Sequence, residues 1–258
     1  MSHTEDQKKS SAEPALQQYS PIVELRQYTL HSGQRDVLIE LFEREFIESQ
    51  EAVGAIPIGQ FRDLEKPDRF VWLRGFPNME QRQTALQSFY GGPVWREHRN
   101  AANATMIDSD NVLLLRPARP TSGFWLDHSK RAPQGSRTEP PGLIIATILP
   151  FASAPSNEFL DFFEGTLAPE LKRSGASLLA YFVTEERENN YPALPVREGE
   201  QVFIWFSSFR DQVAYAEHRA RLAESQQWHQ LWEPTLQRLK AAPEILKLTP
   251  TARSLVHA

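Results

Sequence analysis

The chain has 258 residues, 40% of them hydrophobic, including 15 Phe and 6 Trp, and a formal charge of −5. Its 21 Arg and 7 Lys are scattered, which excludes the clustered basic face of a nucleic-acid binder. Cys is absent, so disulfides, thiolate nucleophiles and Cys-ligated metal sites are excluded, and no apolar run reaches the ~20 residues of a membrane span.

Residues 1–20 are polar and lack the apolar run of a signal peptide, so a disordered tail and a cytoplasmic location are expected. From Ile22 to Leu30 strand-forming residues alternate in character, a first strand. His31-Ser32-Gly33 turns the chain into an amphipathic helix with Val37, Leu38, Leu41, Phe42 and Ile47 along one stripe, ended by Gly54. A second strand is expected from Ile56 to Leu64 and a hairpin turn at Lys66-Pro67-Asp68. A third strand runs from Arg69 to Phe76, a helix from Pro77 to Phe89, a short helix opens at Pro93, and a fourth strand lies within Met106 to Arg116. This β-α-β-β-α-β order is the ferredoxin-like arrangement.

A Pro-rich linker, residues 118–141, is interrupted by Phe124-Trp125-Leu126, which points to docking on the folded part, either plugging a barrel or covering its outside. The same unit then returns. Phe70-Val-Trp-Leu-Arg-Gly-Phe76 is matched by Phe203-Ile-Trp-Phe-Ser-Ser-Phe209 at an offset of 133, which also carries Trp95 onto Trp228. Upstream the offset is 121, carrying Gly54 onto Gly175, so a 12-residue insertion is expected in the second copy, around Asn189 to Gly199. The second copy's strands are expected at 143–150, 177–184, 201–209 and 245–249, with helices at 157–174, 212–223 and 226–240. A repeat of this length is a domain. The fold class is α+β, with tandem ferredoxin-like units at 21–117 and 142–250 forming a pseudo-dimeric α+β barrel. A homo-oligomer built through helices or sheet edges is compatible with this plan.

Glu24-Leu25-Arg26-x-Tyr28-x-Leu30-x-x-Gly33, then Glu51-Ala-Val-Gly54, Phe70 to Trp72, and Trp95 in a short helix resemble, in that order, the NIPSNAP family. The second unit resembles it only weakly. The resemblance implies a dimeric α+β barrel shared with antibiotic-biosynthesis monooxygenase-like and stress-responsive barrel proteins. Those relatives include cofactor-free oxygenases, isomerases and plain binding proteins. Some eukaryotic NIPSNAP proteins are linked to mitochondria, but the start of this chain lacks transit-peptide character.

Period two puts Glu24, Arg26 and Tyr28 on one face of the first strand, and Phe70, Trp72, Arg74 and Phe76 on one face of the third. These faces are expected to look into the barrel, joined by Gln60 and Arg62, while Val23, Leu25, Val71 and Leu73 pack against helices. That gives an aromatic-lined site for a small, partly aromatic or apolar ligand, with Trp95 at its edge. Arg26 suits a carboxylate or phenolate, Tyr28 a hydrogen bond or proton, Glu24 a base, and His98 an acid or base at the mouth. In the competing reading Glu24 and Arg26 simply pair, with Tyr28 capping the network. The functional expectation is a small-molecule-binding barrel, monooxygenase- or isomerase-like if it is an enzyme; the alternative is a non-catalytic scaffold. No metal or cofactor signature is present: His218 and His229 lack a carboxylate at ligand spacing, and no nucleotide-binding glycine motif occurs. The nearly apolar strand Leu143 to Leu149 makes the second unit the expected structural half, with Tyr181, Trp205 and Trp228 its main notable side chains.

Overall fold

The computed structural model describes residues 17–258. Residues 1–16 of the expected tail lie outside the described residues. Gln17–Tyr19 (β1) pair with the linker strand Phe124–Leu126 (β7), so the expected tail is corrected there: these residues form a strand. The cause lies in the linker. Phe124 is 1% exposed and packs on Phe182 and Phe206 at 5.4 and 5.1 Å, which pins β7 and offers β1 an edge. Phe124 belongs to the barrel core, whereas Trp125 is 47% exposed.

The first half supplies β2 (Ile22–Leu30), β3 (Ile56–Asp63), β4 (Arg69–Phe76), β5 (Met106–Asp108) and β6 (Val112–Pro117). The expected fourth strand is therefore broken in two. The second half supplies β8 (Leu143–Phe151), β9 (Ser177–Thr184), β10 (Gln201–Phe209) and β11 (Glu244–Pro250). Among the described residues, eight strands close in the order β4-β3-β11-β8-β10-β9-β6-β2, with β2 returning to β4. The two joints between halves are antiparallel pairs, β3 with β11 and β6 with β9, so each half covers the other's open edges.

The helices follow the same repeat. In the first half, α1 (Arg35–Leu41) and α2 (Ile47–Glu51) are joined by a π-helical turn at Phe42–Phe46. In the second, α5 (Asn157–Phe162) and α6 (Ala168–Arg173) are joined by one at Phe163–Leu167, again 121 residues on. Both helical runs end at a glycine in the left-handed region, Gly54 at φ 88° and Gly175 at φ 111°. α3 (Met79–Tyr90) is capped by Asn78, and α4 (Pro93–Asn103) opens on its proline. α7 (Gln212–Glu224) is capped by Asp211 and α8 (Gln226–Leu236) by Ser225.

The faces of the strands are the reverse of the expectation. Val23, Leu25, Val71 and Leu73 join Ile144, Ala146, Ile204 and Phe206 in one core cluster, which fills the barrel interior. The Glu24/Arg26/Tyr28 and Phe70/Trp72/Arg74 faces lie outside the barrel wall, beneath the first half's helices. There Tyr28, Phe70 and Trp72 pack with Leu38, Phe42, Phe46 and Phe89. Both faces of β2 are covered, so alternation reveals which side chains share a face without revealing which cover lies over them.

Candidate functional site

β2 and β4 pair antiparallel with Glu24 opposite Arg74 and Arg26 opposite Trp72. The Glu24 carboxylate is 0% exposed and is the hub of a charged cluster. Its Oε2 accepts from Arg26 Nη1 at 2.8 Å and from Arg74 Nε and Nη2 at 3.1 and 2.6 Å, while its Oε1 accepts from Arg82 Nε at 2.7 Å. Burial pushes the Glu24 carboxyl up, but the Arg74, Arg26 and Arg82 charges outweigh burial and hold it far below the carboxylate range. A carboxylate so held is no base, so the pairing reading describes Glu24 better than the catalytic one. Tyr28 accepts from Arg26 Nε at 2.9 Å, and burial raises its phenol above the ordinary value despite the Arg26 charge. Trp72 lies under both cations, 5.6 Å from Arg26 and 5.0 Å from Arg74.

The other expected residues divide. Phe70 and Trp95 join the aromatic packing, Trp95 against Phe46, Phe89 and Tyr90. Gln60 lies opposite Trp72 on β3, and neither its amide atoms nor Trp72 Nε1 find partners among the described residues. Arg62 turns instead to Asp36 and Glu139, and His98 to Glu45 at 3.5 Å and to the Phe46 ring. These last two are not brought together with Glu24. What remains open beside Tyr28, Trp72 and Tyr90 is about 30 Å³, room for a water or two.

The equivalent place in the second half is roomier. A cavity of about 270 Å³ lies between β8, β10 and β11 and the helices α6, α7 and α8. Its wall is the repeat counterpart of the charged cluster. The pair Glu24/Arg74 becomes Ile145/Ser207, and Arg26/Trp72 becomes Thr147/Trp205, in the same antiparallel register. Arg82 becomes Tyr215 and Gln50 becomes Leu171, and all of these counterparts line the cavity. Thr147 and Ser207 thus leave open what the Arg26 and Arg74 guanidinium groups fill in the first half. Trp228 and Trp232, stacked at 5.1 Å, form another wall, and exposed Arg219, Ala223, His229 and Ile245 form a rim at solvent.

Few polar atoms face this space. Ser207 Oγ is buried and has no hydrogen-bond partner among the described residues. His218, 5% exposed, packs on Phe209 and Tyr215 at 4.9 and 6.1 Å and sits 2.8 Å through Nδ1 from Ser174 Oγ. When the Ser174 hydroxyl donates to Glu170 O or Leu171 O, its oxygen accepts from Nδ1–H and Nε2 presents a lone pair. Burial pushes the His218 imidazole down to about 4, keeping it neutral. Sequence reasoning named Trp205 and Trp228 but assigned this half a structural role. The available signal was the repeat itself: carried across the two offsets, every charged position of the cluster lands on an uncharged residue.

Among the described residues there is no group of three or more His, Asp or Glu side chains placed to hold a metal ion, and no helix long and apolar enough to cross a membrane. Residues 23–120, within the first half, match the NIPSNAP family model. Among solved structures, an anthrone oxidase-like protein is similar over 92% of this chain and 95% of its own, at 10% identity and a TM-score of 0.59. A protein from Lactobacillus acidophilus NCFM that carries a provisional monooxygenase name is similar over 92% of this chain and 98% of its own, at 14% identity and a TM-score of 0.51. At these identities the likeness is one of fold, and it spans both halves. No curated protein matches the chain in sequence.

Proposed function

We propose that this NIPSNAP-domain barrel binds a small, ring-bearing apolar molecule in the cavity of its second half, the first half serving as its structural mate. The observation that carries the reading is the ~270 Å³ cavity walled by Trp205, Trp228, Trp232 and Tyr215 at the place where the first half is filled by charge. Its volume is just below the ~300–1,000 Å³ usual for ligand pockets, which favours a molecule of one or two rings. With Nδ1 protonated, His218 Nε2 offers an acceptor for a ligand hydroxyl or N–H, and Ser207 Oγ a second polar contact. Phenol-like or indole-like compounds meet these requirements. A neutral imidazole held near 4 is a weak base, so the geometry supports binding ahead of proton abstraction.

The test is tryptophan fluorescence titrated with 1-naphthol, indole and naphthalene, in the wild type and in Ser207→Phe, which fills the cavity. Saturable quenching, tighter for the two donors than for naphthalene and lost in the variant, is the expected result. Linear, non-saturating quenching by all three probes would remove the basis for the reading and leave a scaffold role.

A further inference from the structure

The charged cluster of the first half carries more positive charge than it neutralises. Arg26, Arg74 and Arg82 surround a single carboxylate, and all four side chains are at most 1% exposed. Both Glu24 oxygens are already engaged, Oε2 by three N–H groups and Oε1 by Arg82 Nε. Tyr28 is kept protonated by burial and supplies no charge. Arg82 Nη2 is left buried with no acceptor among the described residues. An isolated buried cation is costly, and a buried N–H without an acceptor adds to that cost. The cluster lacks an anion.

The groups that cover Arg82 are neutral. Arg82 Nη1 donates to Asn189 Oδ1 at 3.1 Å and to Asn190 Oδ1 at 2.7 Å, and both residues belong to the insertion between β9 and β10. The insertion crosses onto the first half, where Tyr191 stacks on Tyr90 at 6.2 Å and Leu194 and Val196 rest on the neighbouring apolar cluster. Asn189, Asn190 and Tyr191 are only partly buried, so the cover borders solvent. An asparagine carbonyl is a weaker acceptor for guanidinium than a carboxylate, whose paired oxygens match the planar fork.

We infer that the Arg82 edge of this cluster is a binding site for the carboxylate group of a small organic acid, which displaces Asn189 and Asn190 and uses the insertion as a lid. The site is separate from the apolar cavity of the second half. It supplies the missing negative charge and takes up the free Arg82 Nη2. Phosphate carries the same charge sign but lacks the planar pair of oxygens.

The experiment measures Tm of the full chain against sodium acetate, sodium phosphate and sodium chloride at constant pH and ionic strength. Hydrogen exchange is followed in parallel across residues 186–200. With acetate, a saturable rise of a few degrees is expected, together with faster exchange in the insertion as the asparagines are displaced. Asn189→Asp, which ties a carboxylate to Arg82, is expected to raise Tm by itself and to abolish the acetate response. Equal responses to all three salts, a response selective for phosphate, an unchanged insertion in acetate, or a full acetate response in Asn189→Asp would each overturn the assignment.

Discussion

Glu24 and His218 show how much a single side chain's surroundings decide. Glu24→Gln leaves three buried guanidinium groups without their counter-charge, and a loss of about 3–5 kcal/mol is expected in chemical denaturation. The sign of the His218 effect follows from its depressed value: the unfolded imidazole binds a proton near 6.5 and the folded one near 4. Between those values the unfolded state holds more protons, so stability falls as pH drops through the window. Between pH 6.5 and 4.5 this amounts to about 2 kcal/mol. His218→Phe keeps the ring stack with Phe209 and Tyr215 and is expected to flatten that slope in urea unfolding curves taken across the window. Glu24 contributes to a different range, since a carboxylate with a depressed value loses its stabilising effect only below its unfolded value of about 4.5. The residue types at these positions were legible in the sequence; their states were not, because each depends on neighbours 44 to 58 residues away.

At the scale of elements, the helix order, the repeat with its insertion and the strand ranges could be read from the sequence, apart from β1 and the break between β5 and β6. Period-two alternation, terminating glycines and capping side chains are local signals. The error lay in orientation. Glu24 and Arg26 suggested an inward polar site, yet the barrel takes the aliphatic face and the helices cover the charged one. Alternation identifies two faces, and only packing between distant segments assigns their covers. Helix caps give a test of which element shapes the cavity. Asp211 Oδ1 accepts from Ala214 N at 2.8 Å at the start of α7, which carries Tyr215 and His218. Asn78 Oδ1 accepts from Gln81 N at 2.8 Å at the start of α3, which carries Arg82. Asp211→Ala and Asn78→Ala are each expected to cost about 1 kcal/mol. Under the proposed function, only Asp211→Ala should also weaken 1-naphthol binding in the fluorescence titration.

At the scale of the whole molecule, neither half can complete its core alone. A fragment of residues 1–120 would expose the edges of β3 and β6 and the apolar face carrying Val23, Leu25, Val71 and Leu73. It is expected to run as a dimer or to aggregate in light scattering, and a well-folded monomer would contradict the shared core. The same joining of two halves in one chain has an evolutionary corollary. In a symmetric pair of identical chains, every substitution falls in both clefts at once, so neither can be altered without altering its twin. Once the two copies are fused, that constraint ends. Charge can accumulate at one cleft while its counterpart loses it, and a protein that began with two equal sites can keep each for a different task.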